Sequence, residues 1–387
     1  MNEDEYKLIT EAKQRALDVL VNTAEGPFNK LPRTAMWGYP EPYTRDLMIN
    51  LFGVLVSNNR KLIATYGRVL KMLARHQSSL GHIPSLVHDP ENRGASDCTP
   101  LFLVGTGLYR KVTGDLDFLA SSVNKAMTWM QYQSPCDRRI VAQLPTSDWR
   151  DEQWVLGYSL YVNTLVYLYL KLFEQFDEAK QLKNEMELFH IKALNKRDYS
   201  SFVTDKRPYY YLWVYKIYKN ERCDLLGNSL AILSGLASKT RARSIITWVE
   251  QECQLMRERN ELGVDLPPNF FPAIQPGDPD WYPRYKEYNS PGRYHNGGIW
   301  PFVCGFYVAA LVAAGKYRLA QEKLFALAKL VKSAKKEDVE FGFNEWLDPR
   351  SGEPMGQDWQ GWSAATFLYA AECVEQRKTI FFDTNCE

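Results

Sequence analysis

Trp300-Pro301-Phe302-Val303-Cys304-Gly305-Phe306-Tyr307-Val308-Ala309-Ala310-Leu311-Val312-Ala313-Ala314-Gly315-Lys316-Tyr317-Arg318-Leu319-Ala320-Gln321-Glu322-Lys323-Leu324 carries the pattern that decides the fold. Apolar residues recur at helical spacing on both sides of Gly315, predicting helices at 298–314 and 317–332 with almost nothing between them. A long polar stretch, 333–357, follows before the next helical pattern.

The same unit recurs along the chain. Helical spacing predicts twelve helices, at 3–22, 46–58, 61–77, 98–112, 116–131, 152–173, 175–193, 224–237, 240–258, 298–314, 317–332 and 358–376. Strand-like patterning is scarce outside 198–216, where Tyr and Trp cluster. Tight turns join helices two to three, four to five, six to seven, eight to nine and ten to eleven. Six long connections separate these pairs: 23–45, 79–97, 132–151, 194–223, 259–297 and 333–357. Antiparallel neighbours place every tight turn at one end and every long loop at the other. Loops beyond about 12–15 residues are usually functional, so six on one face read as a binding face on a rigid scaffold. Twelve alternating helices that close on themselves make an all-α (α/α)6 barrel. A solenoid shares the pairing, but no repeat of constant period is visible. No Gly/Ser/Pro linker marks a boundary, which leaves a two-domain helical protein as an alternative; 1–387 is read as one (α/α)6-barrel domain.

Charge is balanced at 47 basic and 46 acidic residues, which argues against nucleic acid or an acidic membrane as partner. No apolar run approaches the roughly 18 residues of a membrane span. The acidic start, Met1-Asn2-Glu3-Asp4-Glu5, shows no signal peptide. Seven scattered cysteines (98, 136, 223, 253, 304, 373, 386) without a CxxC pair read as reduced thiols of a cytoplasmic protein. The five histidines (76, 82, 88, 190, 295) show no metal-ligand spacing, so no metal or other cofactor is expected. Eleven Trp, 23 Tyr and 18 Phe exceed what a helical core needs and suggest ring-stacking surfaces.

The long loops hold the chemistry. Loop three contains Leu144-Pro145-Thr146-Ser147-Asp148-Trp149-Arg150-Asp151-Glu152-Gln153-Trp154. Carboxylates beside tryptophans suit a sugar site, where indoles stack on pyranose rings and a carboxylic acid protonates a departing oxygen. Asp148 and Asp151 would share a face of a helical turn, although a capping-box role for the pair is the alternative. Loop one carries Trp37, Tyr39, Tyr43, Arg45 and Asp46, read as a substrate floor with hydrogen bonds to hydroxyls. Asp97 and Asp224 end loops two and four, where each could bind hydroxyls or cap a helix. Loop five holds Tyr294-His295-Asn296-Gly297-Gly298-Ile299-Trp300-Pro301, with His295, Asn296 and Trp300 as polar or stacking contacts. Loop six holds Asn344-Glu345-Trp346-Leu347-Asp348-Pro349-Arg350-Ser351-Gly352 and then Trp359. Glu345 is the natural partner acid for loop three.

Together these motifs resemble the inverting (α/α)6-barrel glycosidases. That group includes neutral/alkaline invertases, processing α-glucosidases with mannosylglycerate hydrolases, and amylo-α-1,6-glucosidases. Tyr43-Thr44-Arg45-Asp46 and the loop-five and loop-six motifs carry the resemblance, which runs from about residue 37 to 362. It implies an exo-acting, inverting hydrolase of a small α-glucoside such as sucrose, with Asp151 as general acid and Glu345 as general base. The family's acid is often preceded by Gly-Met, Gly-Trp or Ile, whereas here Ser147-Asp148-Trp149-Arg150 precedes it. Asp148 therefore competes for the acid role. Arg150 would hinder a protonated Asp151 unless it turned away or paired with another acid. A sugar epimerase or polysaccharide lyase on the same fold is one alternative; the epimerase would have to recruit His76, His82 or His88 beside His295. A non-catalytic carbohydrate-binding scaffold is another. For the outer wall of the site, Trp213, Tyr282, Arg284 and Tyr285 are candidates.

Overall fold

The computed structural model describes residues 2–135, 139–188, 191–192, 198–199, 203–204, 207–216 and 218–382. Cys136, His190 and Cys386 lie outside the described residues. Twelve α-helices occur among those described: α1 (Glu3–Asn22), α2 (Thr44–Val56), α3 (Arg60–Arg75), α4 (Cys98–Thr113), α5 (Ala120–Tyr132), α6 (Leu160–Leu172), α7 (Phe176–Leu188), α8 (Leu225–Ser234), α9 (Lys239–Glu258), α10 (Pro301–Ala313), α11 (Tyr317–Lys332) and α12 (Gly361–Gln376).

The even-numbered helices are apolar around most of their circumference. In α10, every residue from Pro301 to Val312 is buried, which is the signature of a helix packed on all sides. The odd-numbered helices are two-faced. In α3, Leu62, Tyr66, Val69, Leu70 and Leu73 turn inward while lysines and arginines face water. Packing follows from this difference. The inner helices touch in the order α2, α4, α6, α8, α10, α12, and α12 returns to α2, so the inner ring closes. Gly53 sits where α2 crosses α12; a Cβ there would strike the backbone of Ala365, so glycine sets that close approach. The outer helices pack against this ring. No helix among the described residues is long and apolar enough to cross a membrane.

The long connections all lead from an outer helix into the N-terminus of an inner one. They interlock around the same circuit as the helices. Loop one pairs with loop six at Ala35–Gln360 and with loop two at Tyr43–Leu86. Ser96 N–H donates to Ser147 O at 2.7 Å, joining loops two and three, and Ile299–Leu347 joins loops five and six.

The all-α expectation needs correction. The strands are β1 (Tyr158–Ser159), β2 (Ile191–Lys192), β3 (Asp198–Tyr199), β4 (Val203–Thr204), β5 (Arg207–Tyr215), β6 (Tyr218–Asp224), β7 (Phe270–Phe271), β8 (Trp346–Leu347) and β9 (Pro354–Met355). An antiparallel five-stranded sheet runs β1-β5-β6-β7, with β4 also pairing with β5. Six consecutive residues of β5, Tyr209 to Val214, are buried. With both faces covered, the strand shows no period-two alternation, which is why its pattern was weak in the sequence.

The sixth helix also begins later than expected, at Leu160 rather than near 152. Gln143 and Gly157 exchange backbone hydrogen bonds at 2.8 and 3.1 Å, which closes 143–157 into a loop. Helix α6 starts only where the Ser159 hydroxyl accepts from the Val162 N–H. Asp148 and Asp151 therefore do not share a helical face, and neither caps α6. All five described cysteines are free and buried.

Candidate active site

Loop three is anchored from inside by an arginine. Arg150 is fully buried, and its guanidinium lies 2.9 Å from the Asp148 carboxylate and 3.2 Å from that of Asp224. The Arg150 N–H also donates to Asp148 Oδ1 at 2.8 Å, and the guanidinium stacks over the Trp149 ring. Arg150 is thus turned away from the face and paired with two acids. Burial alone would raise the Asp148 pKa, but the Arg150 charge and hydrogen bonds outweigh it and hold Asp148 below the usual carboxylate range. Asp148 is consequently an ionised internal counter-ion.

Asp151, the next residue, differs in setting. Its side chain reaches solvent while its neighbours are pinned. Glu152 pairs with Arg284, its carbonyl accepts from Asn289 Nδ2 at 2.6 Å, and Trp154 N–H donates to Tyr285 Oη at 2.7 Å. Desolvation by the surrounding protein, with repulsion from Glu152, Asp148 and Asp97, raises the Asp151 pKa, against the attraction of Arg45.

Glu345 is 6% exposed and is presented by loop six just before β8. Gln357 N–H donates to its Oε2 at 3.3 Å and the Tyr294 hydroxyl to its Oε1 at 3.4 Å. Gly356 packs so closely that a Cβ there would overlap the carboxylate. Burial, helped by repulsion from Asp151, raises the Glu345 pKa to about 7, against the lowering effect of both hydrogen bonds. Asp46, at the start of α2, is raised to about 7 as well, chiefly by burial, with Glu345 adding to it and Arg45 opposing.

The three carboxylates share one electrostatic neighbourhood. Tyr39 is raised by burial and then by the charges of Glu345, Asp151 and Asp46; Tyr294 is raised by burial and then by Glu345 and Asp151. Tyr39, Tyr43, Arg45, Asp46, Asp151, Tyr294 and Glu345 therefore converge from loops one, three, five and six. Trp37 and Trp359 pack ring to ring at 5.5 Å and are both partly exposed, as loops one and six meet.

Other expected contacts are buried beneath this face. Asp97 is fully buried and grips Arg45 through bonds of 2.6 and 3.1 Å; it makes no side-chain cap to α4 and holds the arginine. Asp224 stands at the N-cap of α8 without a side-chain capping bond and serves Arg150. Trp149 packs edge-to-face on His295, Trp300 and Phe302 at 5.2–5.3 Å, within the core. His295 is 1% exposed; burial, then Arg150 and Arg45, hold its pKa well below the usual value, leaving it neutral. Asn296 bonds both backbone groups of Ile274, and Trp300 Nε1 donates to Tyr294 O at 3.0 Å. These four build the floor and do not face solvent. The physical reason is the same in each case: rings and amides that could serve a sugar are spent on packing the loops together.

Tyr294 is the contact that sequence reasoning passed over. It stood in the loop-five motif, but nothing local distinguished it from the adjacent His295; only the fold brings its hydroxyl to Glu345. Tyr294→Phe removes a donor that stabilises the carboxylate. The Glu345 carboxyl should then titrate at higher pH, by about half to one unit, as read by carbon-13 NMR of the labelled side chain. An unmoved titration would show that Tyr294 does not tune Glu345.

The family profile described as alkaline and neutral invertase matches residues 155–377. Alkaline/neutral invertase C, mitochondrial, of Arabidopsis thaliana is 27% identical over 179 residues, covering 45% of this chain and 25% of that protein. Cytosolic invertase 1 of Oryza sativa subsp. japonica is 27% identical over 154 residues, covering 39% and 25%. The matched region thus spans about a quarter of the length of these curated relatives. Among solved structures, the GH63 mannosylglycerate hydrolase of Thermus thermophilus in complex with glucose superposes with a TM-score of 0.64 at 14% identity, covering 92% of this chain and 99% of that one. A structure described as a wild-type glycosidase gives 0.65 at 15%, covering 97% and 99%. At such identities the structural likeness concerns the fold.

Proposed function

The chain belongs to the alkaline and neutral invertase family, and from that premise we propose that it is an inverting glycoside hydrolase acting from the end of a small α-glucoside, sucrose or a similar α-linked glucose substrate. In this reading residues 1–387 form one (α/α)6-barrel catalytic domain of a cytoplasmic enzyme without a cofactor. A protonated Asp151 donates to the glycosidic oxygen, and ionised Glu345 takes a proton from a water on the opposite ring face. Inversion requires roughly 6.5–9.5 Å between the carboxyl groups to admit that water. Arg45 and Asp46 would bond sugar hydroxyls, while Tyr39, Tyr43, Trp37 and Trp359 wall the subsite.

One observation carries the proposal. Asp151 and Glu345 come from loops three and six, on different helix pairs, yet they act on the same two tyrosines and Asp151 acts on Glu345. Asp148, the competing acid, is held ionised by Arg150 and has no proton to give. The epimerase alternative is less well supported: His82 stacks on Trp129 at 4.6 Å, the His76 Nδ1 bonds Val87 O at 2.8 Å, His88 packs on Phe28 at 4.2 Å, and His295 is buried.

Incubation with sucrose, maltose and glucosylglycerol, with products followed by proton NMR, tests the proposal. Free monosaccharide should appear, with β-glucose preceding its mutarotated anomer. Retained α-configuration would overturn the mechanism, and an epimer or unsaturated sugar would overturn the reaction class. Because Glu345 must be ionised and is raised to about 7, kcat/KM should climb as pH rises through that value.

A further inference from the structure

A second groove, of about 440 Å³, is not part of the carboxylate cluster. It lies along the sheet, where β5 and β6 meet loops three and five. That volume falls within the about 300–1,000 Å³ of ordinary small-ligand sites. Trp154, Trp213, Tyr218 and Tyr282 line it together with Lys219 and Asp280.

Two of its rings are open to solvent: Trp154 is 40% exposed and Tyr218 65% exposed. Trp154 stacks on Tyr282 with centroids 4.9 Å apart and planes at 28°, so the two rings form one stiff surface. The frame behind them is rigid. Arg222 bonds Asp278 at 2.7 Å, Asp280 at 2.9 Å and the Pro272 carbonyl at 3.0 Å, and Asn220 Nδ2 bonds Asp280 at 2.7 Å. Lys219 and Glu221 pair at 2.9 Å on the open rim. The Trp213 indole N–H lies just under the surface with no hydrogen-bond partner.

We propose that this groove is a second saccharide-binding site, taking a short α-linked oligosaccharide. Sugars have apolar C–H faces that stack on rings and hydroxyl edges that both donate and accept. The groove offers rings at its centre and both signs of charge at its rim. A nucleic acid would require cations without matching carboxylates; here Glu221 and Asp280 oppose Lys219 and Arg222. Trp154 lies on loop three, three residues beyond Asp151, so an oligosaccharide held there lies next to the loop that bears the proposed acid. The α-linkage of the ligand, and with it the choice of an α-glucosyl probe, rests on the proposed function.

The test uses the full chain carrying Glu345→Gln, titrated with maltotriose by calorimetry while excess glucose fills the catalytic subsite. Maltotriose should still bind, and Tyr218→Ala or Trp154→Ala should each weaken it about tenfold. With Glu345 intact, Tyr218→Ala should leave hydrolysis of 4-nitrophenyl α-glucoside within about twofold, since no stacked ring near the carboxylates is lost. Complete displacement of maltotriose by glucose, or unchanged affinity in both ring variants, overturns the proposal. A chain that binds maltotriose through these rings yet hydrolyses no glycoside supports the groove and overturns the catalytic reading instead.

Discussion

Glu345→Gln and Asp151→Asn should each lower turnover by roughly a hundredfold to ten-thousandfold, the usual contribution of a general acid or base, while the chain stays folded. Glu345→Gln should also stabilise the protein, by an amount that grows as pH rises from about 4.5 to about 7 and then levels off. In the folded chain burial raises the Glu345 pKa from 4.5 to about 7. Between those values the unfolded chain has lost a proton that the folded chain keeps. Fewer protons are bound in the unfolded state, so stability falls as pH rises through this window. Above pH 7 the buried carboxylate imposes its full cost, on the order of 3 kcal/mol. Glutamine removes that charge, and the Tyr294 hydroxyl can turn to accept from the new amide. Denaturant unfolding at pH 5 and pH 8 should show the variant nearly equal to wild type at the first and more stable at the second. Equal differences at both pH values would mean that Glu345 is not strained by burial. An active Glu345→Gln enzyme would remove its catalytic role.

Arg150→Met should have the largest effect on stability. The side chain is fully buried and paired with two equally buried carboxylates. Its loss leaves Asp148 and Asp224 uncompensated, which typically costs about 3–5 kcal/mol. In wild type the depressed Asp148 pKa contributes stability above the unfolded value, lost as pH falls through the folded one. In the variant the sign reverses: Asp148 is raised by burial, and acidification relieves the penalty by protonating it. The deficit should therefore be widest near pH 8 and shrink toward pH 5. Asp148→Asn and Asp224→Asn added to Arg150→Met should recover part of it, which keeps the prediction testable where the single variant folds poorly. A single-variant loss below about 1 kcal/mol, or no recovery in the triple variant, would contradict the triad's role.

The helices and their pairing could be read from the residues because apolar spacing is a local property. Burial along α3 and α11 repeats every three to four residues whatever lies opposite. The alternation of short and long connections located the face that bears Arg45, Asp46, Asp151 and Glu345. Other features were not local. The eight residues from 152 to 159 are apolar enough for helix, but the Gln143–Gly157 bridge competes for their backbone. The abundance of tryptophan suggested stacking surfaces, yet Trp149, Trp300 and Trp362 are in the core. Composition counts rings without saying which side of the loop they face.

The family motifs, the two-by-two helical order and the loops that carry acids are legible in the residues alone. Each depends on neighbours within one or two turns of chain. The direction in which each carboxyl's pKa moves, Asp148 down and Asp151 up, came only with the tertiary structure. Asp148 and Asp151 are three residues apart, and their difference comes from Arg150 folding inward to reach Asp224, 74 positions along the chain (224 − 150). A carboxyl's proton affinity is set by the charges and solvent within a few ångströms, and those neighbours arrive only when the ring of helices closes.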